Sequence, residues 1–168
     1  MTADVTHLLL TCVGAVAIYM TSWFVVSLLF KRNDVADIAW GLGFVLVAIT
    51  ALSVNSNPSM GAWLATVCTT IWGLRLGWHI FSRNRKKAED PRYAQWRKDW
   101  GKWFVLRSFL QVFMLQGALL LLVVSPVTLN AGLAHTVTVP AWLAAGLLVW
   151  LFGFYFESVG DWQLRQFL

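Results

Sequence analysis

The chain has 168 residues, 58% of them hydrophobic and only 12% charged, with a formal net charge of +5. A water-soluble domain carries roughly 25% charged residues, so this composition excludes a soluble globular class and leaves an integral membrane protein with length for one helix bundle. Most of the positive charge sits in two short inter-helix segments, which is the pattern of membrane orientation and argues against a nucleic-acid-binding face.

The opening "MTADVTH" has no basic n-region. The apolar stretch behind it runs about 23 residues against roughly 7–15 for a signal-peptide core, so the first helix, 8–30, is expected to be a retained anchor. Lys31 and Arg32 follow it. The second helix, 38–55, is the shortest and contains Gly41 and Gly43, so it is expected to pack tightly on a neighbour. Asp34 and Asp37 enter it three apart, beside Trp40. Two acids there favour the helix dipole; a Mg²⁺-diphosphate site is the sharper reading, and no second acidic motif accompanies it.

The third helix, 61–81, carries Arg75, His79 and, just beyond it, Arg83 on nearly one face. Arg83 is able to snorkel to the surface. An ionisable group within the hydrocarbon costs at least ~2.5 kcal/mol, and Arg75 lies about six residues inside at ~1.5 Å per residue. Arg75 is therefore either the structural partner of a buried acid or a ligand-binding cation.

Segment 88–103, "AEDPRYAQWRKDWGKW", opens with Asp90 as N-cap and Pro91 at the first helical position. Tyr93, Trp96, Trp100 and Trp103 then recur at spacings of three, four and three, flanked by Arg92, Arg97, Lys98 and Lys102. The spacing predicts an amphipathic helix over about 90–103, lying in the headgroup layer. It serves either as a membrane-surface brace or as a lid over an anionic cofactor.

The fourth helix, 104–128, carries Arg107 and Gln111 four apart, with Gln116 deeper. These amides are expected to bond across helices or to touch a polar group on a lipid-like substrate. The fifth, 140–159, runs into "YFESVGDWQLRQFL", where Glu157, Asp161 and Arg165 follow one another at intervals of four and share a face. Glu157 sits inside the apolar run and is expected to face a polar interior. Cys12 and Cys68 read as small buried hydrophobes, the three histidines are isolated, and no metal site is expected.

The fold class is therefore all-α, a single polytopic membrane helix bundle over 1–168 with about five transmembrane helices and one interfacial amphipathic helix. Uncharged turns alternate with basic ones, which places the N-terminus outside and the C-terminus in the cytoplasm.

Four stretches, "KRNDVADIAWGLGF" (31–44), "WGLRLGWHIFSR" (72–83), "EDPRYAQWR" (89–97) and "GFYFESVGDWQLRQF" (153–167), together resemble the bacterial branch of the steroid 5-alpha-reductase-like membrane protein family. The resemblance implies residence in a bacterial inner membrane and NADPH-dependent reduction of a carbon–carbon double bond conjugated to a ketone in a lipid. It implies Arg83, Glu157 and Asp161 as cofactor-side groups. Asp34, Asp37, Arg75, Gln111 and Gln116 remain candidates for substrate or helix–helix polar contacts.

Two departures go with it. The Gln–Glu pair with which steroid reductases bind the ketone is absent, which argues against a steroid as substrate. No R-H-P-N-Y-x-G-E type stretch occurs either. The chain is thus expected to correspond to the N-terminal part of such an enzyme, completed by a C-terminal segment or an oligomer partner, without a full catalytic cycle of its own. S-adenosylmethionine-dependent lipid methylation on the same fold, and a non-enzymatic membrane scaffold, are the alternative functions.

Overall fold

The computed structural model describes residues 5–85, 87–132 and 139–167. They form helices joined by short turns, with no strand among them. The order is α1 (Val5–Phe30), α2 (Val35–Val54), α3 (Met60–Asn84), α4 (Pro91–Trp100), a 3₁₀ turn (Gly101–Trp103), α5 (Phe104–Arg107), a π-helical segment (Ser108–Met114), α6 (Leu115–Gly132) and α7 (Pro140–Phe167). Most of the 130–140 turn and Lys86 lie outside the described residues.

Local chemistry sets the helix ends. Lys31 adopts φ 53° and stops α1, while Arg32 N–H donates to Ser27 O at 3.0 Å, the closure of a left-handed helix cap. The Ser59 hydroxyl accepts from Ala62 N–H at 3.1 Å to start α3. Asp90 caps α4 through Arg92 N–H at 2.9 Å, with Pro91 where its missing N–H does no harm. Arg92 also bonds the Asp90 carboxylate at 3.1 Å and so holds it below the usual carboxylate range. Gly101, at φ +47°, turns the chain from α4 into α5.

Among the described residues four helical stretches are long and apolar enough to cross a membrane: α1, α2, the run Pro91–Gly132 and α7. α3 is as long, but Arg75, His79 and Arg83 interrupt its apolar character. Pro126 lies inside α6 and leaves the Leu122 carbonyl without its helical donor. The Ser125 hydroxyl donates to that carbonyl at 2.8 Å, which keeps the helix viable in hydrocarbon.

α2 is central, packed on α1, α3 and α6. Its contact with α3 is backbone on backbone: a Cβ at Gly41 would lie 2.8 Å from Gly77 N and 3.0 Å from Gly73 O. Gly43 leaves room for Leu120 of α6 in the same way. The core behind these contacts contains Leu8, Met20, Val47, Phe113 and Leu120, all fully buried. α7 differs from the other long helices, since none of its described residues is buried and it meets the bundle chiefly along α3.

Candidate functional site

Trp72, Arg75 and His79 recur on α3 at spacings of three and four, the interval that stacks side chains on one face. Phe154, Glu157, Asp161 and Arg165 do the same on α7, and the two stripes meet. Trp72 Nε1–H donates to Glu157 Oε2 at 2.7 Å, and Arg75 Nη1–H donates to Asp161 Oδ2 at 2.7 Å. Arg75 Nη2 lies 2.5 Å from Glu157 Oε1; Nη2 makes no aligned hydrogen bond, so the contact is an ion pair only. Arg75 Nε is buried without a partner, and the guanidinium sits 5.3 Å from the centre of the Phe154 ring.

Arg165 Nη2 lies 2.9 Å from His79 Nδ1. A guanidinium only donates, so Nδ1 is the acceptor in this contact, and Asp161 Oδ2 lies 3.5 Å from the same nitrogen. Two arginines and two carboxylates thus balance, with a buried His79 among them.

This ladder borders a cavity of about 470 Å³ lined by Asp37, Trp40, His79, Arg83, Arg92, Gln116 and Asp161 among others. Gln116 Oε1 is buried there with no partner. Tyr93, the buried residue of α4, donates its hydroxyl to Asp37 Oδ1 at 2.9 Å and so ties α4 to the start of α2. Tyr93→Phe removes a hydrogen bond to a carboxylate and is expected to lower stability by about 1.5–3 kcal/mol, read from the midpoint of unfolding in denaturing detergent. A second cavity of about 320 Å³ shares His79, Arg83 and Asp161 and adds Ser82, Lys87 and Arg165.

Asp34 is placed elsewhere. Only 3% of its side chain is exposed, and it is paired with Arg32 at 2.6 Å. Arg32 in turn donates to Lys87 O at 2.9 Å. Asn33 N–H donates to Glu89 Oε1 at 2.7 Å, and Arg97 bonds the same carboxylate at 3.0 Å. Asn33 Nδ2–H reaches Ser108 Oγ at 2.7 Å, with both residues buried. The turn between α1 and α2 is therefore clamped by the segment entering α4. Gln111 is exposed on the π-helical segment, away from the cavity.

Of the residues singled out in the sequence, Asp37, Arg83, Gln116 and Asp161 share one cavity, and Arg75 and Glu157 adjoin it. Trp72 and His79 complete the ladder. Their spacing around Arg75 was the available signal. Nothing in the sequence links Asn33 to Ser108.

An all-helical bundle with several membrane-type helices, its charged residues gathered at one end, defines this chain as a polytopic membrane-type protein. Residues 23–168 match the family described as "Protein of unknown function (DUF1295)", a span containing every residue of the ladder and cavity, and the chain belongs to that family. No curated protein and no solved structure matches it.

Proposed function

We propose that the chain forms the membrane part of an NADPH-dependent reductase acting on a lipid whose carbon–carbon double bond is conjugated to a ketone, as the resemblance to steroid 5-alpha-reductase-like proteins implies. In this reading α3 is a fifth span, the basic end faces the cytoplasm and the N-terminus lies outside. Lys31, Arg32, Arg83, Arg85, Lys87, Arg92 and Arg97 all belong to the turns and helix ends of that one end, in keeping with the positive-inside pattern.

The observation that carries the reading is the cavity in which Arg83 and Arg92 meet Gln116, His79 and Asp161. Its residues suit a dinucleotide. Arg83 and Arg92, with Lys87 and Arg165 at the adjoining cavity, are cations for phosphate oxygens. The orphaned Gln116 Oε1 is an acceptor for a carboxamide N–H. The nucleotide, when bound, supplies the hydride. His79 lines the cavity; as a neutral imidazole accepting from Arg165 at Nδ1 it would offer Nε2–H to polarise a ketone oxygen, a role open to an uncharged imidazole. Arg75 holds Glu157 and Asp161 in place.

Titration of the purified chain in nanodiscs with NADPH, followed by nicotinamide fluorescence, tests this reading. Binding is expected, and Arg83→Ala is expected to weaken it about tenfold, the loss of one charge-assisted phosphate contact. Absence of binding, or an unchanged affinity in Arg83→Ala, overturns the assignment. Saturable binding of S-adenosylmethionine in its place would assign the cavity to methyl transfer.

A further inference from the structure

Beyond the charged end, α7 stands off the bundle and leaves two more cavities along its inner side. One, of about 370 Å³, is lined by Phe44, Thr69, Trp72, Val127, Trp150, Gly153, Phe154 and Glu157 among others. The other, of about 320 Å³, is lined by Gly61, Thr69, Val127, Asn130, Trp142, Leu143, Gly146 and Trp150 among others. They share Thr69, Val127 and Trp150, so they form one trough between α3, α6 and α7. From Leu143 to Glu157 the trough runs fourteen residues of helix, about 21 Å at ~1.5 Å per residue, most of a hydrocarbon core of about 30 Å.

The lining is mostly apolar, with Thr69 the polar residue where the two cavities join and further polar groups at the ends. Asn130, whose buried Oδ1 has no partner, closes one end. Glu157, held by Trp72 and Arg75, closes the other. Along α7 the trough is floored by Gly146 and Gly153, where a Cβ would meet nothing within 4 Å, so neither glycine is needed for packing of the chain on itself. Space kept open by side-chain-free positions, between helices apolar enough to sit in a bilayer, fits a guest that is itself apolar.

We infer that this trough is the binding site of a single-chain lipid, an acyl or isoprenoid tail lying along α7 with its polar group at the Trp72–Arg75–Glu157 end. The inference rests on the proposed lipid substrate and names its class: an extended chain, because the lining follows α7 from Leu143 to Glu157. A polar group leaving the trough past Glu157 would enter the cavity assigned to the nucleotide, which the same ion ladder borders and His79 lines.

The test uses the full chain in nanodiscs and a straight-chain methyl ketone of sixteen carbons bearing a diazirine near its tail. Photolabelling followed by peptide mass spectrometry is expected to place adducts on the 61–69 and 142–150 stretches, competed by excess unlabelled ketone. Gly146→Leu and Gly153→Leu place a branched side chain in the trough at positions where a Cβ meets no protein atom within 4 Å and are expected to reduce that labelling about tenfold or more. Gly160→Leu, on the same helix, equally open and outside the trough, is expected to leave it unchanged. Labelling spread evenly over the lipid-facing helices, or undiminished by Gly146→Leu and Gly153→Leu, overturns the inference. The NADPH titration is read separately: trough labelling without nucleotide binding keeps the lipid site and removes the reductase reading, and the reverse result removes the lipid site alone.

Discussion

Arg75→Met is expected to release α7 from the bundle. α7 buries no residue of its own among those described, and its bonded contacts with α3 pass through Trp72, Arg75 and His79. Arg75 alone answers two carboxylates, Glu157 and Asp161. Removing one partner of a buried pair leaves the other charge uncompensated, at a typical cost of about 3–5 kcal/mol. Here the side chains are 20–37% exposed, so the loss is expected near the lower end, about 3 kcal/mol. Spin labels at Trp78→Cys and Gly160→Cys, in a Cys12→Ser, Cys68→Ala background, would report it as a broadened interhelical distance distribution. Arg75→Lys is expected to restore only part of the effect, because an ammonium cannot span both acids as the planar guanidinium does. The triple change Arg75→Met, Glu157→Gln, Asp161→Asn removes all three charges together and is expected to recover most of the loss. An unchanged distance distribution in Arg75→Met would show that α7 is held by something other than the ladder.

The other large effect is expected at the α2–α3 crossing. A methyl group at Gly41 would meet the backbone of Gly77 and Gly73, and neither neighbour has a side-chain rotamer with which to yield. At Gly73 the Cβ would lie 2.6 Å from Gly41 O and 2.8 Å from Val45 Cγ2. Overpacking of this kind typically costs about 1–3 kcal/mol; Gly41→Ala and Gly73→Ala are expected at the top of that range, because helices must separate rather than side chains turn. Gly14→Ala, at a position where a Cβ meets nothing, is expected to be neutral or slightly stabilising through its gain in helix propensity. Thermal or detergent unfolding midpoints of the three variants provide the comparison.

The helices and the small-residue crossing were legible in the sequence because both depend on short-range pattern. Long apolar runs specify spans, and Gly41 marks where a second backbone has to come close. The C-terminal helix runs on to Phe167, past the end of its apolar stretch at 159, because Glu157, Asp161 and Arg165 find partners on α3 rather than solvent. Arg75 read from the sequence as either a partner of a buried acid or a ligand cation; its two carboxylates lie more than eighty residues away along the chain, and no local spacing encodes such a distance. The same holds for Asn33 with Ser108 and for Tyr93 with Asp37, each a polar pair assembled only when separate turns meet. Gln111 is exposed, and its place on a helix face could not be drawn from the sequence. The π-helical segment from Ser108 to Met114 changes the angular step between residues, so a face drawn at 3.6 residues per turn does not continue through it.

The charged ladder also sets the axial register of α7. Its ionisable residues repeat every four positions, so a slide by one helical pitch, about 5.4 Å, would offer each side chain a new neighbour of similar kind. Moved one way, Arg165 would come level with Arg75 and two like charges would face each other. Moved the other way, Glu157 and Asp161 would still find His79 and Arg83, but the Trp72 indole would stand opposite Gly153 with no acceptor. One direction is blocked by repulsion and the other by an unmet donor, so a helix with no buried side chain of its own is still held at a single height.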